Sequence, residues 1–205
     1  MSKDIADFSR TTAPLADPQL FPSEWAVYGS AYFSLLKRSN GLVVNDTVRV
    51  FGVGPTSLTR EVVEWNSASW RRGFPVPTEV LFWGESVFGD QYGMDPKNGT
   101  LLVLWCEDGL LEPFLTESEV FGDQIVEISR RLVDVALANE ARDTGLRVSL
   151  TEHLGFSLPL VLGGEYDLVN LEVIEGSAHL ELLAQIHAQV AGLPEGTKVQ
   201  GFVEK

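Results

Sequence analysis

Three short runs of strand-forming residues, VRVFGV at 48–53, VLFW at 80–83 and LLVLWC at 101–106, sit between stretches whose apolar residues recur with a helical period. That order restricts the fold more than any other feature of the chain. β-Branched and aromatic residues bounded by Gly, Pro or Asn make extended segments, and between the last two runs lies GDQYGMDPKNGT, in which Asn98-Gly99 is a turn signal. Asn-Gly suits a tight hairpin because both central positions of such a turn take positive φ. The expectation is a strand at Gln91–Met94 paired antiparallel with 101–106. The continuous apolar run LLVLW predicts a strand covered on both faces.

Helical periods flank this middle. Pro22 suits a first helical turn, and Trp25, Tyr28, Tyr32, Leu35 and Leu36 follow at three- and four-residue steps. Asn40-Gly41 closes that helix, glycine being able to take the left-handed conformation. From Asp123 onward Ile125, Ile128, Leu132 and Val135 predict a second helix ending before Gly145, followed by a strand at 146–150. The segment FSLPLVLGGEYDLVNLEV, punctuated by Pro and Gly, has no clear period. Ser177 is placed to cap a last helix with apolar positions Leu180, Leu183, Ala184, Ile186 and Val190. Helix, strands, helix, helix is the order of an α+β protein, not of repeated βαβ units.

Residues 1–20, with no sustained apolar period, predict an N-terminal tail. Residues 21–205 are expected to form one domain, a core pattern over 21–145 and a C-terminal extension over 146–205. Hydrophobic residues make up 44% of the chain, enough for a packed core and unlike a disordered composition. No stretch approaches the ~20 apolar residues that cross a bilayer. The opening MSKDIADFSR lacks the basic-then-apolar order of a secretory signal. The expectation is a cytoplasmic protein with no membrane partner, and the sequons at Asn45 and Asn98 read as turns.

The net charge of −14 is uneven: residues 107–205 carry −12 and residues 1–106 carry −2. Such a field disfavours direct nucleic-acid binding and speeds encounter with a basic protein partner, although acidity also serves plain solubility.

Groups able to do chemistry are few. Cys106 is the sole cysteine, so an intrachain disulfide and an all-cysteine metal site are ruled out, and its apolar strand predicts a packed thiol. His153, His179 and His187 match no metal-ligand spacing. Gly52-Val53-Gly54 lacks the third glycine and the Lys-Ser/Thr of a phosphate loop, and Lys97 sits where a calcium loop starting at Asp95 needs a ligand. No cofactor is expected. A hydrolase reading needs a pocket in which His153 or His179 approaches a carboxylate. The candidate partner surface is the stretch from 107 to 123, which has no Lys or Arg: Glu107, Asp108, Glu112, Glu117, Glu119 and Asp123, with Phe114 as an aromatic anchor. A surface loop anchored on its own core reads equally well. Trp65, Trp70 and Phe74 either cap the sheet or are exposed for self-association.

The order of FPSEW at 21–25, RSNG at 38–41, PTEVLFWG at 77–84, GDQYGMD at 89–95 and NGTLLVLW at 98–105 resembles the SUKH superfamily over residues 21 to about 105. The C-terminal LPLVLGGEYDLVNLEV at 158–173 and HLELLAQI at 179–186 are similar to the end of type VI secretion immunity proteins of the GAD-like class, which also carry a central Phe-Gly-Asp, here Phe88-Gly89-Asp90. Where that class has a Tyr-Gly-Phe run before a proline, this chain has Gly155-Phe156-Ser157-Leu158-Pro159, which leaves the subfamily open. The resemblance implies a mixed, largely antiparallel, curved sheet with flanking helices, no catalytic residues, and an immunity protein that occludes a cognate bacterial toxin. A non-enzymatic regulatory or scaffold protein of the same fold is the alternative.

Overall fold

The computed structural model describes residues 30–116, 131–194 and 197. The expected tail at 1–20, Trp25, Tyr28, Ile125 and Ile128 lie outside the described residues. Helix α1 (Ser30–Leu36) carries the end of the first apolar stripe, with Tyr32 and Leu36 buried and the Tyr32 hydroxyl donating to the Phe51 carbonyl at 3.0 Å. The helix ends earlier than expected, with the Arg38 and Ser39 amides on the Leu35 carbonyl, and Gly41 takes φ +97° in the turn that leads to the first strand. Asn40 does more than stop a helix: its side chain donates to the Val53 carbonyl at 2.8 Å and accepts from the Val53 amide at 2.7 Å, stapling the loop that follows the second strand.

Six strands then form an antiparallel meander, β1 (Leu42–Val44), β2 (Val48–Val50), β3 (Leu81–Ser86), β4 (Gln91–Met94), β5 (Thr100–Trp105) and β6 (Leu110–Thr116), in that spatial order. With helices packed around this curved, open sheet, the chain is of the α+β class. β4 has the predicted bounds and pairs with β5 as predicted. Their connection is longer than a two-residue turn, however: Gly99 alone takes positive φ, and its amide bonds the Asp95 carbonyl at 2.9 Å. The pair of positive-φ residues lies at Asn45 and Asp46, between β1 and β2. β2, β3 and β4 are buried at every position, whereas Leu102 and Trp105 of β5 are half-exposed. On the edge strand β6, Pro113 sits beside a register shift where its missing N–H does least harm to the ladder.

Helix α2 (Val62–Ser67) and a 3-10 turn (Ser69–Gly73) cross from β2 to β3. Trp65, Trp70 and Phe74 are buried here, Trp70 lying 5.6 Å from both Trp65 and Phe82, so this segment caps the sheet. Aromatic side chains of this size dominate core energetics.

The second half departs from the sequence reading at three places. The helix expected from Asp123 to just before Gly145 is interrupted, because the Asp134 side chain accepts from the Leu137 amide and so starts a new helix, α3 (Val135–Asp143). No strand forms at 146–150. There Arg49 takes the Ser149 and Glu152 carbonyls at 2.9 and 2.6 Å, occupying acceptors that a ladder would have used, and β7 begins at Glu152 and runs to Phe156. The period-free segment contributes β8 (Leu171–Glu175), antiparallel to β7. Helix α4 (Gly176–Val190) is capped by Glu175, whose carboxylate accepts from the Ala178 amide at 2.8 Å, and not by Ser177. Leu180, Leu183 and Ala184 of α4 join one hydrophobic cluster with Trp70, Phe82 and Leu154. No helix among the described residues is long and apolar enough to cross a membrane.

Candidate functional site

Two features meet at the turn that leads into the N-terminal end of β4: a chain of buried charged groups and a cleft. The chain begins inside the sheet. Arg49 and Glu85 are register partners on β2 and β3, and their side chains pair at 3.2 Å. Arg60, just before α2, sends its Nε to both Glu85 oxygens at 2.9 and 2.8 Å while its guanidinium lies 3.9 Å over the Trp65 ring. His153 Nε2 approaches Glu85 Oε2 at 3.1 Å, and His153 Nδ1 faces His179 Nδ1 at 3.1 Å. His179 Nε2 stands 3.5 Å from Glu107 Oε1, short of hydrogen-bond geometry.

The proton arrangement turns on His153 Nε2, which faces both a donor, Arg60 Nη2 at 3.3 Å, and the Glu85 carboxylate at 3.1 Å. His179 Nε2 and Glu107 Oε1 stand 3.5 Å apart, and neither has a hydrogen-bond partner. Burial tends to raise Glu85, but His153, Arg60 and Arg49 outweigh it and hold the carboxyl down at about 2. Burial also disfavours the imidazolium of His153, lowering it to about 4 against the pull of Glu85. At neutral pH the inner part of the chain is therefore Arg–Glu–Arg with a neutral His153, all of it shut away from solvent.

Gly89 explains why the turn between β3 and β4 is so particular. It has φ +99°, and a Cβ there would stand 2.9 Å from His153 Nδ1 and 3.0 Å from His179 Nδ1. Gly89→Ala is expected to cost about 2 kcal/mol or more, from backbone strain and displacement of the histidine pair. An unchanged urea midpoint would show that the pair has room to move.

The cleft, of about 370 Å³, lies between the β5–β6 turn, residues 131–134 and the segment from Phe156 to Tyr166. Asp90, Glu107, Asp108 and Asp134 line it together with one cation, Arg131. Asp90 accepts from the Ser86 hydroxyl at 3.0 Å and the Cys106 amide at 3.2 Å, yet burial outweighs these bonds and raises its carboxyl to about 6. Cys106 is buried with its thiol pushed up by burial, and Sγ lies 3.7 Å from the Phe88 carbonyl, a packed thiol.

Of the residues singled out in the sequence, the structure brings Glu107 and Asp108 to this cleft. Glu107 is buried, its Oε2 accepting from the Leu160 amide at 2.8 Å, and Asp108 is exposed. Glu112, on β6, is exposed and accepts from the Trp105 indole at 3.0 Å, while Phe114 is half-buried with its ring 6.3 Å from Tyr92. Glu117, Glu119 and Asp123 lie outside the described residues. His187 stands apart from the other two histidines, its Nε2 3.0 Å from the Cys106 carbonyl. Among the described residues no group of three or more His, Cys, Asp or Glu side chains converges as a metal site would.

Comparison with known proteins gives two findings. Residues 127–187, under a third of the chain, match the family described as T6SS immunity protein Tdi1, C-terminal. Those residues include α3, β7 and β8, both chain histidines, and the stretch at 158–186 read above as similar to type VI secretion immunity proteins. The crystal structure of Atu4351 from Agrobacterium tumefaciens superposes with a TM-score of 0.58 at 9% identity over 85% of each chain, a likeness of fold. No curated protein matches the sequence.

Proposed function

We propose that this chain is an immunity protein: it acts in the cytoplasm, binds a cognate bacterial toxin with a basic surface, and silences it by occlusion, without turning over a substrate. The observation that carries this reading is the match of residues 127–187 to the type VI secretion immunity family. The resemblance of residues 21–105 to the SUKH superfamily points the same way. The excess acidity of the C-terminal half supports a basic partner, since opposite fields raise association rates and reject like-charged competitors.

The histidines support binding over catalysis. One does meet a carboxylate, as a hydrolase requires, but His153 and Glu85 have no exposed surface, and neither histidine of the pair lines the cleft. A general base has to reach the proton it removes. The groups that look catalytic therefore read as structural, tying β7 and α4 to the sheet.

The test is to look for a toxin gene beside this one, whose absence would favour a regulatory or scaffold role, and to co-express the two proteins. Growth is expected to be restored by this chain, with both proteins co-eluting as one complex. Undiminished killing with no complex would remove the immunity reading, and a regulatory or scaffold role would take its place.

A further inference from the structure

We infer that the loop between β7 and β8, residues 157–170, is a preformed docking knob that seats Leu158, Tyr166 and Val169 in an apolar groove with a basic rim on a partner protein. That the partner is a toxin rests on the immunity reading, whereas the chemistry of the surface does not. Seven large apolar side chains are exposed among the described residues, and these three of them fall within this one loop, at 48%, 55% and 93% exposure. Apolar residues scattered singly on a surface need no explanation, but a group of them on one loop of a rigid scaffold marks a contact site. Charge selects the occupant. The loop carries Glu165 and Asp167 with no Lys or Arg, Asp134 accepts from the Tyr166 hydroxyl at 3.4 Å, and all of them belong to the more acidic half of the chain. A second copy of this chain would bring the same acids, and phosphate backbones and anionic lipids are repelled as well. The surface that fits is therefore another protein's, apolar at the centre and basic at the rim.

Hydrogen bonds within the loop bring the three side chains together and hold them. The Ser157 amide donates to the Asn170 carbonyl at 2.8 Å, so the two ends of the loop meet, as in an Ω-loop. The Asn170 side chain is the hub: it accepts from the Leu158 amide and donates to the Leu158 and Glu165 carbonyls, each at 2.9 Å, which sets the neighbours of Tyr166 and Val169 beside Leu158. The Asp167 carboxylate accepts from the Val169 amide at 3.1 Å. A Cβ on Gly164 would run into the Leu158 carbonyl, so the two limbs of the loop are already in contact. Leu160 and Leu168 pack against the hydrophobic core, and the Tyr166 ring lies 5.3 Å from that of Phe156, yet Val169 beside Leu168 is almost wholly in solvent. A loop fixed from within in this way has little freedom left to lose on binding, which is how preorganised surfaces gain affinity.

The experiment has two arms, both on the full chain. In the first, the toxin encoded beside the gene is bound to wild type, to Val169→Lys and to Leu182→Lys, the last a matched control that adds the same charge at an exposed apolar position on α4. Val169 is so exposed that its replacement leaves the fold intact. Binding weakened about tenfold or more is expected for Val169→Lys, and less than about twofold for the control. Toxin that binds all three proteins equally, or that loses as much with the control, places the interface elsewhere and overturns the knob while the immunity reading stands. Toxin that binds none of them, or a gene with no toxin beside it, counts against the immunity reading instead, and the second arm decides the knob. There p-benzoylphenylalanine replaces Val169 or Leu182 in the source cell, and after irradiation the cross-linked peptides are sequenced by mass spectrometry. An adduct from position 169 alone is expected, to a segment of another protein in which Lys and Arg outnumber Asp and Glu. No adduct, the same adduct from both positions, one to a second copy of this chain or one to an acidic segment would overturn the proposal.

Discussion

Replacing Glu85 with alanine is expected to lower folding stability by about 3–5 kcal/mol, a large part of the 5–15 kcal/mol typical of a folded domain. Glu85 is fully buried between the guanidinium groups of Arg49 and Arg60, and among the described residues no other carboxylate comes within ion-pair distance of either. Its removal leaves two desolvated cations with no counter-charge beside them, held by the Ser149 and Glu152 carbonyls for Arg49 and by the Thr151 carbonyl, the Trp65 ring and His153 for Arg60. Those carbonyls lie in the loop before β7 and at its first residue, so the damage extends to the strand that carries His153. Glu85→Gln keeps the shape and an acceptor but loses the charge, and a loss close to that of alanine would locate the effect in charge. The surface pair Glu79–Lys97, at 2.5 Å with both side chains well exposed, is the control. Glu79→Ala should leave the urea midpoint close to that of wild type. A Glu85→Ala protein whose urea midpoint matches that control would mean the buried cluster contributes nothing to the fold.

The second large effect is a pH dependence made of two opposed parts. His153 takes up its proton near 6.5 when unfolded and only at about 4 when folded. Between those values the unfolded chain holds the extra proton, so stability falls as pH drops from about 6.5 to about 4, by roughly 3 kcal/mol at most. Asp90 does the reverse. Its carboxyl protonates at about 6 in the folded protein and near 3.9 unfolded, so the folded state holds the extra proton and stability rises as pH drops through that window. In the wild-type protein the two tendencies partly cancel. Asp90→Asn is expected to steepen the loss of stability between pH 6.5 and 4, and His153→Asn to flatten it, as read from urea midpoints at several pH values. Identical slopes in all three proteins would show that neither group titrates as its surroundings dictate. Below that range Glu85 takes over: its stabilisation is complete above about 4.3 and is lost as pH falls toward about 2.

What could be read from sequence follows from how local each signal is. Strand β4, its hairpin with β5 and the apolar face of α4 are written in short-range patterns and emerged from them. The break at Asp134 was hidden because one aspartate in an amphipathic run reads as a polar face as easily as a cap. The strand expected at 146–150 failed for a tertiary reason, the arrival of the Arg49 side chain from about 100 residues away. The same distance hides the charged chain. Arg49, Arg60, Glu85, His153 and His179 come from five separate segments, and no spacing rule joins them. The available hint was compositional: Arg49 sits inside VRV and Glu85 ends a fully buried strand, where a charge requires a partner. Glu107, placed by sequence in a candidate partner surface, turns inward to the Leu160 amide, a contact across 53 residues. Gly89-Asp90, part of the Phe-Gly-Asp in the resemblance, touches both features, glycine against the histidine pair and aspartate in the cleft.

The most direct measurement is a titration of the neighbour-encoded toxin's activity with this protein at concentrations far above their dissociation constant. Occlusion predicts toxin activity that declines linearly to a sharp break at a fixed stoichiometry, with active toxin recovered when the complex is denatured and refolded apart. Inactivation that runs to completion with far less than one equivalent, leaving chemically altered toxin, would contradict a binding protein and reveal an enzyme.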